Sequence, residues 1–324
     1  MLQSTHRRDP EFTLFDVVPG PAAFGAAAHI DDVRALDAAA TADLRRAWLK
    51  YQVLSIPGQH LDDAAQIVLG RRLGTLKITN PLPNPLARAD LPGHLPGLAQ
   101  APRDLRYPEI TIVSNIVRDG RALGGLGSGE LTWHSDMCQF ERPPSATLVY
   151  GAEIPPGQGS TSFANMELAA AGLPEAELAA LAALSIKQDE VMDSAGHPRA
   201  GHAPVTDVRR SPGRAQPLVT RHPETGRPAL FLGRRLYAYV PGLSLAESER
   251  LLDRLWAHAT RPDYVWTHHW KQGDIVIWDN RSVLHKRDPF DPAARRMLRR
   301  VVVEGDALSR YEPAATLSHN HAHA

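Results

Sequence analysis

The stretch "GDIVIWDNRSVLHKRDPFDPAARRMLRRVVVEG" (residues 273–305) sets the architecture of this chain. An apolar run at 274–278 enters a polar turn, a second short run carries His285, and a third β-type run follows at 295–303. Short runs rich in β-branched and aromatic residues, separated by turns, are the pattern of antiparallel sheets. The same texture reaches back to about residue 110 through "EITIVSNIV", "SATLVYGAEI", "STSFANM", "QPLVTRH", "PALFLG" and "DYVWTHHW". Such spacing predicts a sandwich or barrel. Two helical stretches interrupt it. Residues 167–185 are Ala/Leu-rich, and 244–259 open on Ser244 and Glu247, a capping box.

The first 75 residues read as α/β. "YQVLSIPGQ" (51–59) is a short strand ended by a Pro-Gly turn, with helical spacing in "TADLRRAWLKY" before it and "LDDAAQIVLGRRLG" after it. Residues 80–108 are proline-rich, and 193–217 mix Gly, Pro, Arg and His without periodicity. Loops of that length often bind or cover a ligand. The expected organisation is one domain over 1–324: an N-terminal α/β portion and proline-rich loop (1–109), a β core (110–306) and a tail (307–324). The histidines of the terminal "LSHNHAHA" are read as frayed chain.

Composition narrows the function classes. With 43% hydrophobic and 22% charged residues among 324, the chain can build a core without disulfides. The single Cys138 excludes an intrachain disulfide and any multi-cysteine metal site. Lys+Arg and Asp+Glu both total 36, which gives no electrostatic case for nucleic acid as a partner. "DVRRSPGR" (207–214) is therefore read as a solvated loop or an anion-guiding lid. No 18-residue apolar run exists to span a membrane, so the expected setting is cytoplasmic.

The chemistry concentrates in two places. In "TWHSDMCQF" (132–140), His134 and Asp136 are two residues apart, which in a strand puts both on one face. Two ligands are too few for a catalytic metal, and His285 is the candidate third. Two His and one carboxylate on one octahedral face leave three positions open, an arrangement suited to non-haem Fe(II) oxygenases. If 295–303 is a strand, Arg296 and Arg300 share a face and can enter one cavity, where each offers a planar fork to a carboxylate. Arg295 and Arg299 then alternate outward into solvent. His268 and His269, adjacent and so on opposite faces, are read as packing residues, as are Trp133, Trp278 and Cys138; Cys138 shares the face of His134 and Asp136 by parity. Asn115 is a candidate for the pocket wall.

Together, "WHSDMCQFERPPSATLVYGAEIPPGQGSTSFANM" and "WDNRSVLHKRDPFDPAARRMLRR" closely resemble the taurine dioxygenase / 2,4-dichlorophenoxyacetate dioxygenase family of Fe(II)- and 2-oxoglutarate-dependent oxygenases. "YQVLSIPGQ" and "HATRPDYVWTHHWKQGDIVIWDNR" extend the resemblance over most of the chain. It implies an α+β, mainly β fold: a double-stranded β-helix (jelly-roll) core with flanking helices and long active-site loops. It also implies Fe(II) as cofactor, with 2-oxoglutarate and O2 as co-substrates. By resemblance His134, Asp136 and His285 are the iron ligands, Thr161 and Arg296 bind 2-oxoglutarate, and Arg300 holds the substrate's anionic group. The implied reaction converts 2-oxoglutarate to succinate and CO2 while oxidising, usually hydroxylating, a substrate C–H. Family members are commonly dimers or tetramers, so a homo-oligomer is expected.

Two departures bear on the substrate. Asn80 stands where the taurine enzymes place a substrate-contacting His. "NIVRDGRALGGLGSGELTW" is longer than its counterpart and lacks the polar substrate residues. The expectation is a small organic anion (a sulfonate, sulfate ester or carboxylate) and not taurine itself. The same oxidant used for desaturation, ring closure or nitrogen oxidation, and a non-catalytic metal- or ligand-binding β-helix protein, are the alternatives. Halogenation is disfavoured because Asp136 fills the position that iron halogenases keep small.

Overall fold

In the computed structural model, which describes residues 8–21, 24–78, 99–100, 106–196 and 205–313, the β-type runs condense into two main sheets. In chain order their strands are β1 (Asp16–Pro19), β2 (Ala26–His29), β3 (Val53–Ile56), β4 (Thr111–Ser114), β5 (Gly125–Leu126), β6 (Leu131–His134), β7 (Ala146–Glu153), β8 (Thr161–Asn165), β9 (Val265–His268), β10 (Ile275–Asp279), β11 (Val283–Arg287) and β12 (Met297–Val303). The larger sheet has the order β1-β2-β3-β10-β7-β12-β4-β5, and the smaller has the order β9-β8-β11-β6. Pairing is antiparallel except for β2 with β3 and β4 with β5. The N-terminal strands thus extend the same sheet that the later strands build, joined where β3 pairs β10.

The two sheets share a core. Phe163 of β8 packs on Trp278 of β10 with ring centroids 5.5 Å apart, among Val53, Val149, Val276, Val283 and Leu298. The other face of the larger sheet is covered by α1 (Ala38–Tyr51) and α2 (Asp63–Leu73). Leu44, Ala47, Trp48 and Tyr51 of α1 lie in one apolar cluster with Leu54, Leu148, Ile277 and Val301 of the sheet. Asp37 and Asp62 cap the two helices, each accepting a backbone N–H three residues on.

The single helical stretch expected over 167–185 is two helices, α3 (Met166–Ala171) and α4 (Glu175–Ala182). Gly172 and Pro174 break it. A Cβ on Gly172 would overlap the Tyr264 hydroxyl, so the chain turns there against a neighbour, and Pro174 has no N–H to continue the ladder. The capping box of α5 (Leu245–Ala259) is present as expected, with Ser244 and Glu247 exchanging hydrogen bonds. The excursion 193–217 is rooted in a hairpin, since Ser185–Lys187 pairs with Ala215–Pro217. Residues 197–204, most of 80–108 (including Asn80) and 314–324 lie outside the described residues. No described helix is long and apolar enough to cross a membrane.

Candidate active site

Strand register assembles the site. His285 of β11 is paired with Phe163 of β8 on one side and with His134 of β6 on the other. Direct cross-strand partners point to the same face, so both imidazoles enter the space between the sheets, 4.1 Å apart ring to ring. Asp136 arrives by a different route from the one parity suggests. β6 ends at His134, and residues 136–139 form a turn in which Met137 takes φ 53°. The turn, not strand alternation, swings the carboxylate back beside the two rings. Cys138 is consequently off the site, its thiol buried near the Gln188 side chain.

One donor atom from each of His134, Asp136 and His285 lies within 4.8 Å of the others. Asp136 Oδ1 is 3.9 Å from His134 Nε2 and 4.0 Å from His285 Nε2, too far for hydrogen bonds and close enough for one cation to reach all three. His134 Nδ1 lies 2.7 Å from the Thr132 carbonyl, to which it can only donate, so Nε2 keeps its lone pair for the centre. Burial, and then the neighbouring His285, push the His134 imidazole down to about 3. His285 is lowered by burial as well. Burial would raise the Asp136 carboxyl, but Arg300 and the two imidazoles more than offset it and hold it at about 2. At neutral pH the trio is two neutral imidazoles and one carboxylate, the state a divalent metal requires. The donor set fits iron.

Asp136 is aimed by a buried hydrogen-bond chain. Trp278 Nε1 donates to Asn280 Oδ1 (2.9 Å), Asn280 Nδ2 to Thr147 Oγ1 (2.8 Å), and Thr147 Oγ1 to Asp136 Oδ2 (2.8 Å). Indole N–H can only donate, so every link runs toward the carboxylate. Oδ1 is left for the centre and for Arg300, whose Nη1 stands 3.2 Å away while its buried Nε has no partner among the described residues.

Arg296 lies just ahead of β12 and is 1% exposed. Its Nη2 donates to the Gly159 carbonyl at 3.1 Å, and its Nε is buried without a partner among the described residues. Burial, then the nearby Arg287, lower its guanidinium to about 9. Gly159 must be glycine: φ is +66°, and a Cβ would stand 2.9 Å from Arg296 Nε. Thr161 is buried, its Oγ1 accepting from Trp270 Nε1 at 2.9 Å, which leaves the hydroxyl hydrogen free to donate.

Asn115 does a backbone job. Its Oδ1 accepts from the Arg296 N–H, and its Nδ2 donates to the carbonyls of Pro292 and Ala294, which fixes the turn that delivers Arg296. His268 is bound to Asp274 and His269 to Ser160, both away from the triad's donor set. Arg295 is exposed and paired with Glu153. Arg299, expected in solvent, is covered by α2: it reaches Asp63 and the Leu61 carbonyl and lies 4.6 Å over the Tyr150 ring.

The match to the "Taurine catabolism dioxygenase TauD, TfdA family" runs over residues 16–302, nearly the whole described chain. The chain belongs to this family. A relative, the (S)-phenoxypropionate/alpha-ketoglutarate-dioxygenase of Sphingobium herbicidovorans, is 30% identical over 91% of this chain and 96% of its own length. The alpha-ketoglutarate-dependent 2,4-dichlorophenoxyacetate dioxygenase of Cupriavidus pinatubonensis is also 30% identical, covering 87% and 96%. Among solved structures, AAD-2 in complex with Mn(II) and N-oxalylglycine superposes with TM-score 0.70 at 25% identity, over 92% of this chain and all of that one. This TauD/TfdA-family chain is an Fe(II)/2-oxoglutarate-dependent dioxygenase, with 2-oxoglutarate and O2 as co-substrates.

Sequence reasoning overlooked Thr147, Asn280, Trp270 and Arg287. Arg287 carried a readable signal, standing two residues after His285 on one strand. The others meet the site only through side-chain hydrogen bonds that the sequence does not announce.

Proposed function

We propose that this enzyme oxidises, and in the ordinary case hydroxylates, a small organic anion, with 2-oxoglutarate converted to succinate and CO2. The observation that carries the reading is Arg300, a guanidinium 3.2 Å from Asp136 Oδ1 whose Nε has no partner among the described residues, set at the metal centre. A substrate carboxylate, sulfonate or sulfate placed on that guanidinium has its neighbouring C–H bonds close to the centre. Relatives named for phenoxypropionate and 2,4-dichlorophenoxyacetate make carboxylates the first class to try.

The roles follow from what each side chain can do. His134, Asp136 and His285 hold Fe(II), which when bound supplies the O2-activating chemistry. Arg296 binds the distal carboxylate of 2-oxoglutarate through its fork, and the Thr161 hydroxyl donates a further hydrogen bond to that co-substrate. Asn115 serves the pocket indirectly by holding Arg296. The two sheets form a double-stranded β-helix with the iron between them, in one domain over 1–324, acting in the cytoplasm as a homo-oligomer.

The test is a screen of aryloxyalkanoates, alkyl sulfates and sulfonates against their neutral amide or ester analogues, scored by succinate release. Anions should be turned over, and Arg300→Gln should raise KM for them about ten- to a hundred-fold, the worth of a charge-assisted contact of roughly 1.5–3 kcal/mol. Equal turnover of neutral analogues by the wild type would overturn the reading.

A further inference from the structure

Two guanidiniums, not one, are buried beside the iron-bearing strands. Arg287 follows His285 by two residues on β11 and is paired with Thr161 across to β8, so its side chain projects to the same face as both. It is 4% exposed. Its Nη2 donates to the carbonyls of Leu126 and Gly129, while Nε and Nη1 are buried with no partner among the described residues. Arg287 and Arg296 face a common aromatic, each guanidinium carbon 5.4 Å from the Phe290 ring centroid. Neither is in an ion pair with a carboxylate among the described residues.

A buried cation without a counter-charge is strongly unfavourable, and two near one another are worse. Holding a loop by its carbonyls does not require a charge; any N–H donor would serve. The charge and the two donors unpartnered among the described residues therefore call for an anion that none of those residues supplies. Elsewhere the fold gives its buried arginines partners: Arg281 has Asp279 and Glu224, and Arg234 has Asp189.

We propose that Arg287 joins Arg296 in holding the distal carboxylate of the oxo-acid co-substrate, and that this pair makes the enzyme select a dicarboxylic 2-oxo acid over a monocarboxylic one. The inference rests on the assignment of Arg296 made above. A co-substrate ending in a methyl group would leave both guanidiniums uncompensated, so selectivity arises from the penalty on the wrong ligand as much as from attraction of the right one.

The experiment titrates N-oxalylglycine into the Mn(II)-loaded wild type and its Arg287→Gln, Arg287→Lys and Arg296→Gln variants by calorimetry, so that turnover is not needed for the readout. Gln keeps a donor for the carbonyls but not the charge; its Kd should rise about ten- to a hundred-fold. Lys keeps the charge but not the fork, and should lose about three- to ten-fold. The preference for 2-oxoglutarate over 2-oxovalerate should shrink by a factor similar to that in Kd. Wild-type affinity in Arg287→Gln, with Arg296→Gln impaired, overturns the inference and leaves the Arg296 assignment standing. Wild-type affinity in Arg296→Gln removes that assignment itself. Should the Gln variant not fold, Arg287→Lys decides alone, and wild-type binding by it overturns the proposal.

Discussion

Replacing Thr147 by valine tests how the protein aims its metal-binding carboxylate. Thr147 is fully buried, and valine matches its shape while lacking the hydroxyl. The change removes the 2.8 Å donation to Asp136 Oδ2 and takes from Asn280 Nδ2 its acceptor. A hydrogen bond to a charged group contributes roughly 1.5–3 kcal/mol, and stranding a buried donor costs about 1–3 kcal/mol. The two losses fall on different quantities. The stranded Asn280 amide lowers folding stability, whereas the freed carboxylate can rotate between Arg300 and the centre and so weakens metal binding. Loss of a hydrogen bond behind a ligand typically costs about 10–100-fold in metal affinity. Anaerobic calorimetric titration with Fe(II), with urea unfolding of the metal-free protein alongside, separates the effects. Thr147→Ser should restore metal affinity because it restores the hydroxyl. Unchanged Fe(II) affinity in a folded Thr147→Val protein would refute the reasoning, since Arg300 alone would then suffice to orient Asp136.

Other outcomes follow from the same geometry. Gly159→Ala should raise KM for 2-oxoglutarate in steady-state assays with little effect on KM for the organic substrate, because the new Cβ displaces Arg296 and not Arg300. Trp270→Phe strips the N–H that orients Thr161, and should raise the same KM about 2–10-fold, the worth of one neutral hydrogen bond of roughly 0.5–1.5 kcal/mol. The metal-free protein should lose stability as pH falls from about 6.5. His134 titrates near 3 when folded and near 6.5 when unfolded, so the unfolded chain binds the extra proton across that window and the stability present above it drains away. Asp279, held below the carboxylate range against its own burial by Arg281 and His222, adds a second loss below about pH 4. Urea midpoints at pH 7.5, 5.5 and 4 check this, and midpoints that rise on acidification would contradict it.

How much of this could be read in the residues differs from part to part. His285 was legible because a short strand after a polar turn carries it, and His134 because it ends one. Arg300 lies on β12, where period two applies, whereas Arg296 stands just ahead of that strand and is delivered by the turn that Asn115 holds. Asp136 was placed correctly for the wrong reason: spacing suggested a strand face, while a turn with Met137 at positive φ does the work. Arg299 was misjudged because parity tells which side a residue faces and not what covers that side, here α2. The chain from Trp278 through Asn280 and Thr147 to Asp136 was invisible, since it joins β10 to β7 across more than a hundred residues of sequence. Asn115 looked like a pocket residue for want of any signal that its amide would hold the turn before β12.

The most direct measurement of the central claim is succinate formed per organic anion oxidised, with Fe(II), 2-oxoglutarate and O2 supplied, in the wild type beside Asp136→Ala. The account predicts anion-dependent succinate matched to oxidised product in the wild type. In Asp136→Ala it predicts loss of that coupled turnover, because two imidazoles remain where three donors converged within 4.8 Å. Equal turnover in both proteins, or succinate release indifferent to every anion offered, would contradict it.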